Sequence, residues 1–172
     1  MAGGSPLTAQ TVILVRHAEK AAVPGNDPPL SASGQARAVT LGVALADAHV
    51  THVIVTSRQR TALTAAAVTQ AGHLTPVVVP LGAGDSAHVA AVAAAIRRVP
   101  RPDAMLVVGH SNTVPRIITA LGGPPMADLC DAEYSTIFVV QLDARPIRIV
   151  RAHYGAPDGE DAGECHTGME TR

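Results

Sequence analysis

Arg16 and His17 close the first apolar run of the chain, Thr11-Val12-Ile13-Leu14-Val15, and Ala18-Glu19-Lys20 follows at once. The β-branched and aliphatic run predicts a strand. It delivers a guanidinium and an imidazole to its carboxyl end, where open α/β sheets bind ligands. A guanidinium can hold phosphate through paired N–H donors, and an imidazole can attack phosphorus, so the pair suits phosphoryl transfer. Two later segments repeat the arrangement. Val55-Thr56-Ser57-Arg58-Gln59-Arg60-Thr61-Ala62-Leu63-Thr64-Ala65 and Val107-Val108-Gly109-His110-Ser111-Asn112-Thr113 each leave an apolar run carrying basic or polar side chains. If those runs are parallel neighbours, all three segments converge on one edge of a sheet.

The positioning elements are read from alternating apolar runs and helical patterns. Strands are expected at 12–15, 52–55, 77–79 and 105–108, with a closing pair at 136–142 and 147–152 joined by Asp143-Ala144-Arg145-Pro146. Ser31 can cap a helix continuing to 46, with Leu30 as its staple. Further helices are expected over 61–71, ended by Gly72; from a cap at Asp85 or Ser86 to 98; and over 113–121. Strands separated by helices imply parallel neighbours with right-handed crossovers. The expected fold is α/β: a three-layer α/β/α sandwich with a mostly parallel central sheet and an antiparallel edge strand. One domain spans 11–154, preceded by a flexible N-terminus, 1–10. The stretch 155–172, with almost nothing to bury, is expected to be a disordered tail.

Composition narrows the function classes. The 172 residues are 47% hydrophobic but only 2% aromatic, so the core is built from Val, Ile, Leu and Ala. The net charge of -1, without a basic run or aromatic platforms, argues against a nucleic-acid partner. No apolar stretch reaches membrane-spanning length, and the N-terminus does not read as a signal sequence, so cytoplasmic location is the default. Cys130 and Cys165 lack metal spacing and are read as free thiols in a reducing compartment, with a disulfide pairing as the alternative. His49 and His52 have no carboxylate or thiol partner in sequence, so no metal is expected. Gly82-x-Gly84 lacks the third glycine of a dinucleotide fingerprint, and no cofactor is expected.

Taken together, the three segments resemble the histidine phosphatase (phosphoglycerate mutase-like) superfamily. Arg16-His17-Ala18 is similar to its Arg-His-Gly motif, with alanine in place of glycine as in small bacterial phosphohistidine phosphatases of the SixA type. Thr56, Arg60, Thr64 and Ala65 resemble its Ser-x-x-x-Arg-x-x-x-Thr-Ala pattern, and Gly109-His110-x-x-Thr113 its Gly-His-x-x-Thr segment. Pro29-Leu30-Ser31-x-x-Gly34-Gln35-x-x-Ala38 also matches the stretch after the first motif. The resemblance runs in order from Thr11 to Tyr154. It implies a metal-independent phosphatase in which His17 is the nucleophile and forms a phosphohistidine. Arg16, Arg60 and His110 would bind the phosphoryl oxygens, His110 adding positive charge when protonated. The family commonly uses a carboxylate after the second-arginine helix as proton donor; here Asp85 is the candidate. The expected partners are phosphate and a phosphorylated small molecule or phosphohistidine protein.

Three rival functions are open, one of them a non-catalytic phosphate-binding module, against which the presence of both histidines and both arginines argues. A phosphoglycerate mutase shares the ancestry, but 75–102 leaves little length for a covering segment. A serine hydrolase would use Ser111, in Gly109-His110-Ser111-Asn112-Thr113, with Asp143 and His153 following in chain order. It leaves Arg16, His17 and Arg60 unused.

Overall fold

The computed structural model describes residues 10–82, 84–100 and 103–159. Strands β1 (Thr11–Arg16), β2 (Val50–Thr56), β3 (Val77–Val79), β4 (Ala104–Gly109), β5 (Thr136–Gln141) and β6 (Arg148–His153) form one sheet of order β3-β2-β4-β1-β5-β6. β3, β2, β4 and β1 run parallel; β5 is antiparallel to both β1 and β6. The reversed strand therefore lies one place in from the edge, and β6 closes the sheet.

Strand alternation divides the core into two layers of packing. Val12, Leu14, Met105 and Val107 point to one face, against α3 (Asp85–Arg98) and α4 (Thr113–Ala120). Ile13, Val15, Leu106 and Val108 point to the other, against α1 (Ala32–Ala44) and α2 (Gln59–Gly72). Successive side chains on a strand face opposite ways, so near-continuous aliphatic runs are what a sheet covered on both faces requires. The adjacent strands β1 and β4 thus send the chain to helices on opposite faces. Their carboxyl ends open a crevice where α/β sheets accept ligands.

Local signals set most boundaries. The Ser31 hydroxyl accepts from the Gly34 N–H at 3.1 Å, which is the expected cap of α1. A Cβ on Gly34 would stand 2.2 Å from the Glu19 carbonyl oxygen, so α1 reaches the first motif only because that position has no side chain. The cap of α3 differs from expectation. Gly84, at φ 88°, takes the N-cap, and Asp85 is the first helical residue with no capping bond of its own. The Asp85 side chain is turned elsewhere.

Both domain boundaries move outward. Gln10 is buried, and its Nε2 donates to the carbonyls of Ile96 and Val99, so it belongs to the fold rather than to a flexible arm. Residues 155–159 are anchored too. The Ala156 carbonyl accepts from Arg37 Nη1 at 3.0 Å, and the Asp158 carboxylate accepts from the Tyr134 and Ser135 N–H groups at 2.8 Å. The rest of the predicted arm and tail, 1–9 and 160–172, lies outside the described residues. Cys130 is disulfide-bonded, which corrects the free-thiol reading and removes its support for a reducing compartment. Cys165 is outside the described residues. No described helix is long and apolar enough to cross a membrane.

Candidate active site

In the parallel register Arg16 pairs with Gly109, and the His17 N–H donates to the Gly109 carbonyl at 2.9 Å. His17 and His110 therefore leave neighbouring strands side by side, with ring centroids 5.3 Å apart. A Cβ on Gly109 would approach Thr113 Oγ1 and Val114 Cγ2 to 3.0 Å, so glycine lets α4 start this close to the strand end. Arg60 enters from the first turn of α2. Asp27 accepts from the Gln59 N–H at that helix start, and its carboxylate stands 3.6 Å from Arg60 Nη1. Arg16, His17, Arg60, His110 and Asp85 all line one cavity of about 510 Å³, with Lys20, Arg58, Ser111, Asn112 and Asp131 also on its wall. All five residues predicted for the site are thus brought together.

His17 is buried, and its Nδ1 lies 2.8 Å from the Ala18 carbonyl oxygen. A carbonyl only accepts, so Nδ1 carries the proton and Nε2 keeps its lone pair. Burial first, then the charges of Arg60, His110 and Arg16, push the His17 pKa down to about 3. The imidazole is neutral at ordinary pH, as a nucleophile must be.

Burial and then Arg60 likewise lower His110, to about 4, so with no anion beside it the ring is uncharged at neutral pH, and the positive charge expected of it requires protonation there. Its Nε2 is 3.1 Å from the Thr56 hydroxyl, and its N–H donates to Thr113 Oγ1 at 2.9 Å.

Arg16 is held along one edge. Nη1 donates to the carbonyls of Cys130, Asp131 and Glu133 at 2.7, 2.9 and 3.1 Å, and the guanidinium carbon lies 4.1 Å from the centroid of Tyr134. The Nε atoms of Arg16 and Arg60 are buried and have no hydrogen-bond partner among the described residues. Buried N–H donors ordinarily find acceptors. Two such donors at one cavity are matched by an oxyanion, which accepts from guanidinium edges in paired bonds.

Asp85 lines the same cavity. Its Oδ2 accepts from Asn112 Nδ2 at 2.6 Å and from Arg116 Nη1 at 3.3 Å. No group of three or more His, Cys, Asp or Glu side chains suited to a metal ion occurs among the described residues. His52 does have a carboxylate neighbour, Asp103 at 3.6 Å, but no third ligand.

The serine-hydrolase constellation is not assembled. Ser111 lies in the cavity, whereas Asp143 accepts from the Gln10 N–H at the opposite end of β1. His153 Nδ1 is bonded to Ser135 at 2.8 Å, and the Ser135 hydroxyl donates to Asp158. That places the serine between histidine and aspartate, not beyond the histidine as in a nucleophilic triad.

Several supporting residues carried no motif. Glu133 is buried and accepts from the Cys130 N–H, the Thr136 hydroxyl and Arg151, fixing the turn whose carbonyls hold Arg16. Arg37 is buried and donates from Nε to both oxygens of Glu19 and from Nη1 to the Tyr154 carbonyl, tying α1 to the first motif and to the chain after β6. Tyr134 had one available signal: it is one of two tyrosines in an aromatic-poor chain.

Residues 12–80 match the sequence profile of the histidine phosphatase superfamily (branch 1). No curated protein matches the sequence. Among solved structures, one titled a candidate phosphohistidine phosphatase SixA, from Agrobacterium tumefaciens, is 24% identical with a TM-score of 0.62, covering 86% of this chain and 99% of its own. The protein histidine phosphatase SixA complexed with tungstate is 20% identical with a TM-score of 0.61, over 86% of this chain and 97% of its own. A mycobacterial glucosyl-3-phosphoglycerate phosphatase is 15% identical with a TM-score of 0.63, over 87% and 100%. At such identities the likeness is one of fold. Residues 12–80 thus resemble that superfamily's profile, and the chain shares the fold of these phosphatases.

Proposed function

We propose that the chain is a metal-independent phosphatase that hydrolyses a phosphomonoester or a phosphohistidine through a covalent phosphohistidine on His17. The observation that carries this reading is the His17 Nδ1 bond to Ala18, which aims an unprotonated Nε2 at a cavity walled by Arg16, Arg60 and His110. The tungstate bound by the related SixA protein supports an oxyanion as the occupant of such a site.

In the first step Nε2 attacks phosphorus, the N–P bond forms, and the bond to the leaving group breaks. Positive charge develops on the ring, so the Nδ1–H bond to Ala18 strengthens as the transition state is reached, which is where stabilisation counts. The guanidiniums hold the equatorial oxygens, and the dianion favours protonation of His110 by opposite charge. In the second step water attacks phosphorus and the N–P bond breaks, giving inorganic phosphate and neutral His17. In the first step a leaving alkoxide takes the proton held by the Asp85 carboxyl, which Asn112 and Arg116 position, and in the second step the Asp85 carboxylate takes a proton back from the attacking water, restoring the starting state. A phosphohistidine substrate leaves as an imidazole and needs that donor less.

The test is hydrolysis of phenyl phosphate and of a phosphohistidine peptide in excess chelator, with vanadate as inhibitor. Turnover that persists with EDTA and stops with vanadate is expected. Activity abolished by EDTA and restored by a divalent metal would overturn the scheme.

A further inference from the structure

Among the described residues, two cations line the cavity besides the pair assigned to the phosphoryl group. Lys20 and Arg58 line it together with Arg16 and Arg60. Lys20 is exposed and Arg58 half-buried, and neither side chain has an ion pair or hydrogen bond among the described residues. Asp85 is engaged by Asn112 and Arg116, while Asp131 is the other carboxylate on the lining. Arg58 stands two residues before Arg60, and its charge is the largest charge effect on Arg60, lowering it after burial.

Gathering like charges around one cavity is unfavourable unless an anion offsets them, and such clefts attract anions. The cavity, about 510 Å³, is within the range of sites that take whole small molecules and exceeds one phosphoryl group. Arg16 and Arg60 act on His17 by their charge, whereas Lys20 and Arg58 line the same cavity without a partner of their own among the described residues.

We infer that Lys20 and Arg58 form a second anion subsite, so that the substrate is a small molecule bearing a further carboxylate or phosphate beside the phosphoryl group that is removed. The inference rests on the phosphatase reading for the identity of that first group. Carboxylate and phosphate accept from lysine and arginine in the same way, and the chemistry of the subsite is shared by both. Lys20 and Arg58 are specificity residues in this account. They do not touch the reacting atoms.

The test uses inert ligands, so it does not depend on turnover. Propylphosphonate and 3-phosphonopropionate differ only by a methyl group exchanged for a carboxylate. Calorimetric titration of the full chain should show the carboxylated ligand binding roughly tenfold more tightly, a preference that weakens in high salt. The preference should fall to near unity in K20Q/R58Q and persist in R58K. 1,3-Propanediphosphonate against propylphosphonate tests the phosphate form of the second anion in the same way. Equal binding of the carboxylated and plain ligands by the wild type, or a preference unchanged in K20Q/R58Q, overturns the subsite. Phenyl phosphate hydrolysis separates the two claims. A wild type that hydrolyses it without a ligand preference loses only the subsite, and one that shows the preference without hydrolysis loses the phosphatase reading.

Discussion

Thr64 joins the first motif to the second: its Oγ1 accepts the Ala18 N–H at 2.9 Å and donates to the Arg60 carbonyl at 2.7 Å. Thr64 and Ala18 are fully buried, so one hydroxyl sets the distance between the loop that follows His17 and the helix that carries Arg60. Removing it leaves the Ala18 N–H buried without an acceptor, which costs about 1–3 kcal/mol. Thr64→Val should lower the urea midpoint and reduce kcat at least tenfold, while Thr64→Ser keeps both near wild type. Equal activity in the valine variant would show that the motifs are held by other contacts.

The two depressed histidines give stability a defined pH dependence. Each is about 6.5 when unfolded and about 3 (His17) or 4 (His110) when folded. Between these values the unfolded chain holds the extra protons, so stability is present above pH 6.5 and falls as the pH drops. The loss approaches about 1.4 kcal/mol per pH unit for each histidine. Urea melts from pH 7 to 4 should show this slope, and His110→Asn should reduce it by about one proton. Stability flat over that range would contradict the burial of neutral imidazoles.

Tyr134 stacks on the guanidinium of Arg16 and acts as a positioning residue. Contacts of this kind contribute about 0.5–2 kcal/mol. Tyr134→Ala should lower kcat/KM by roughly tenfold, chiefly through KM, because the phosphate ligand loses its support; Tyr134→Phe should not. An unchanged KM in the alanine variant would assign the ring to packing alone.

The role proposed for Asp85 depends on the leaving group. Asp85→Asn keeps the shape and the Asn112 neighbour but has no carboxyl proton to give. An alkyl phosphate should lose about 10²–10⁴-fold in rate, and 4-nitrophenyl phosphate or phosphohistidine far less. A uniform loss across all three would make Asp85 structural.

The sequence made the site legible because its residues sit at strand ends. Arg16 and His110 each follow a continuous aliphatic run, and parallel pairing turns similar positions along separate runs into neighbours. Thr64 was visible for the same reason, lying one helical turn beyond Arg60. The turn at 130–134 was not legible: Glu133 and Tyr134 carry no periodicity, and their importance arises only when Arg16 reaches them from a distant strand. The charge state of His110 was also hidden, because it depends on burial and on Arg60 rather than on residue type. The anchoring of 155–159 escaped composition because polar bonds from Arg37 and Asp158, not apolar burial, hold that segment.

The central claim is that His17 Nε2 becomes bonded to phosphorus. Enzyme quenched in alkali during turnover of a radiolabelled phosphomonoester should retain an alkali-stable, acid-labile label on the peptide containing His17. His17→Asn should retain no label and lose at least about a thousandfold in kcat. Label on another residue, or full turnover by the His17 variant, would contradict the account.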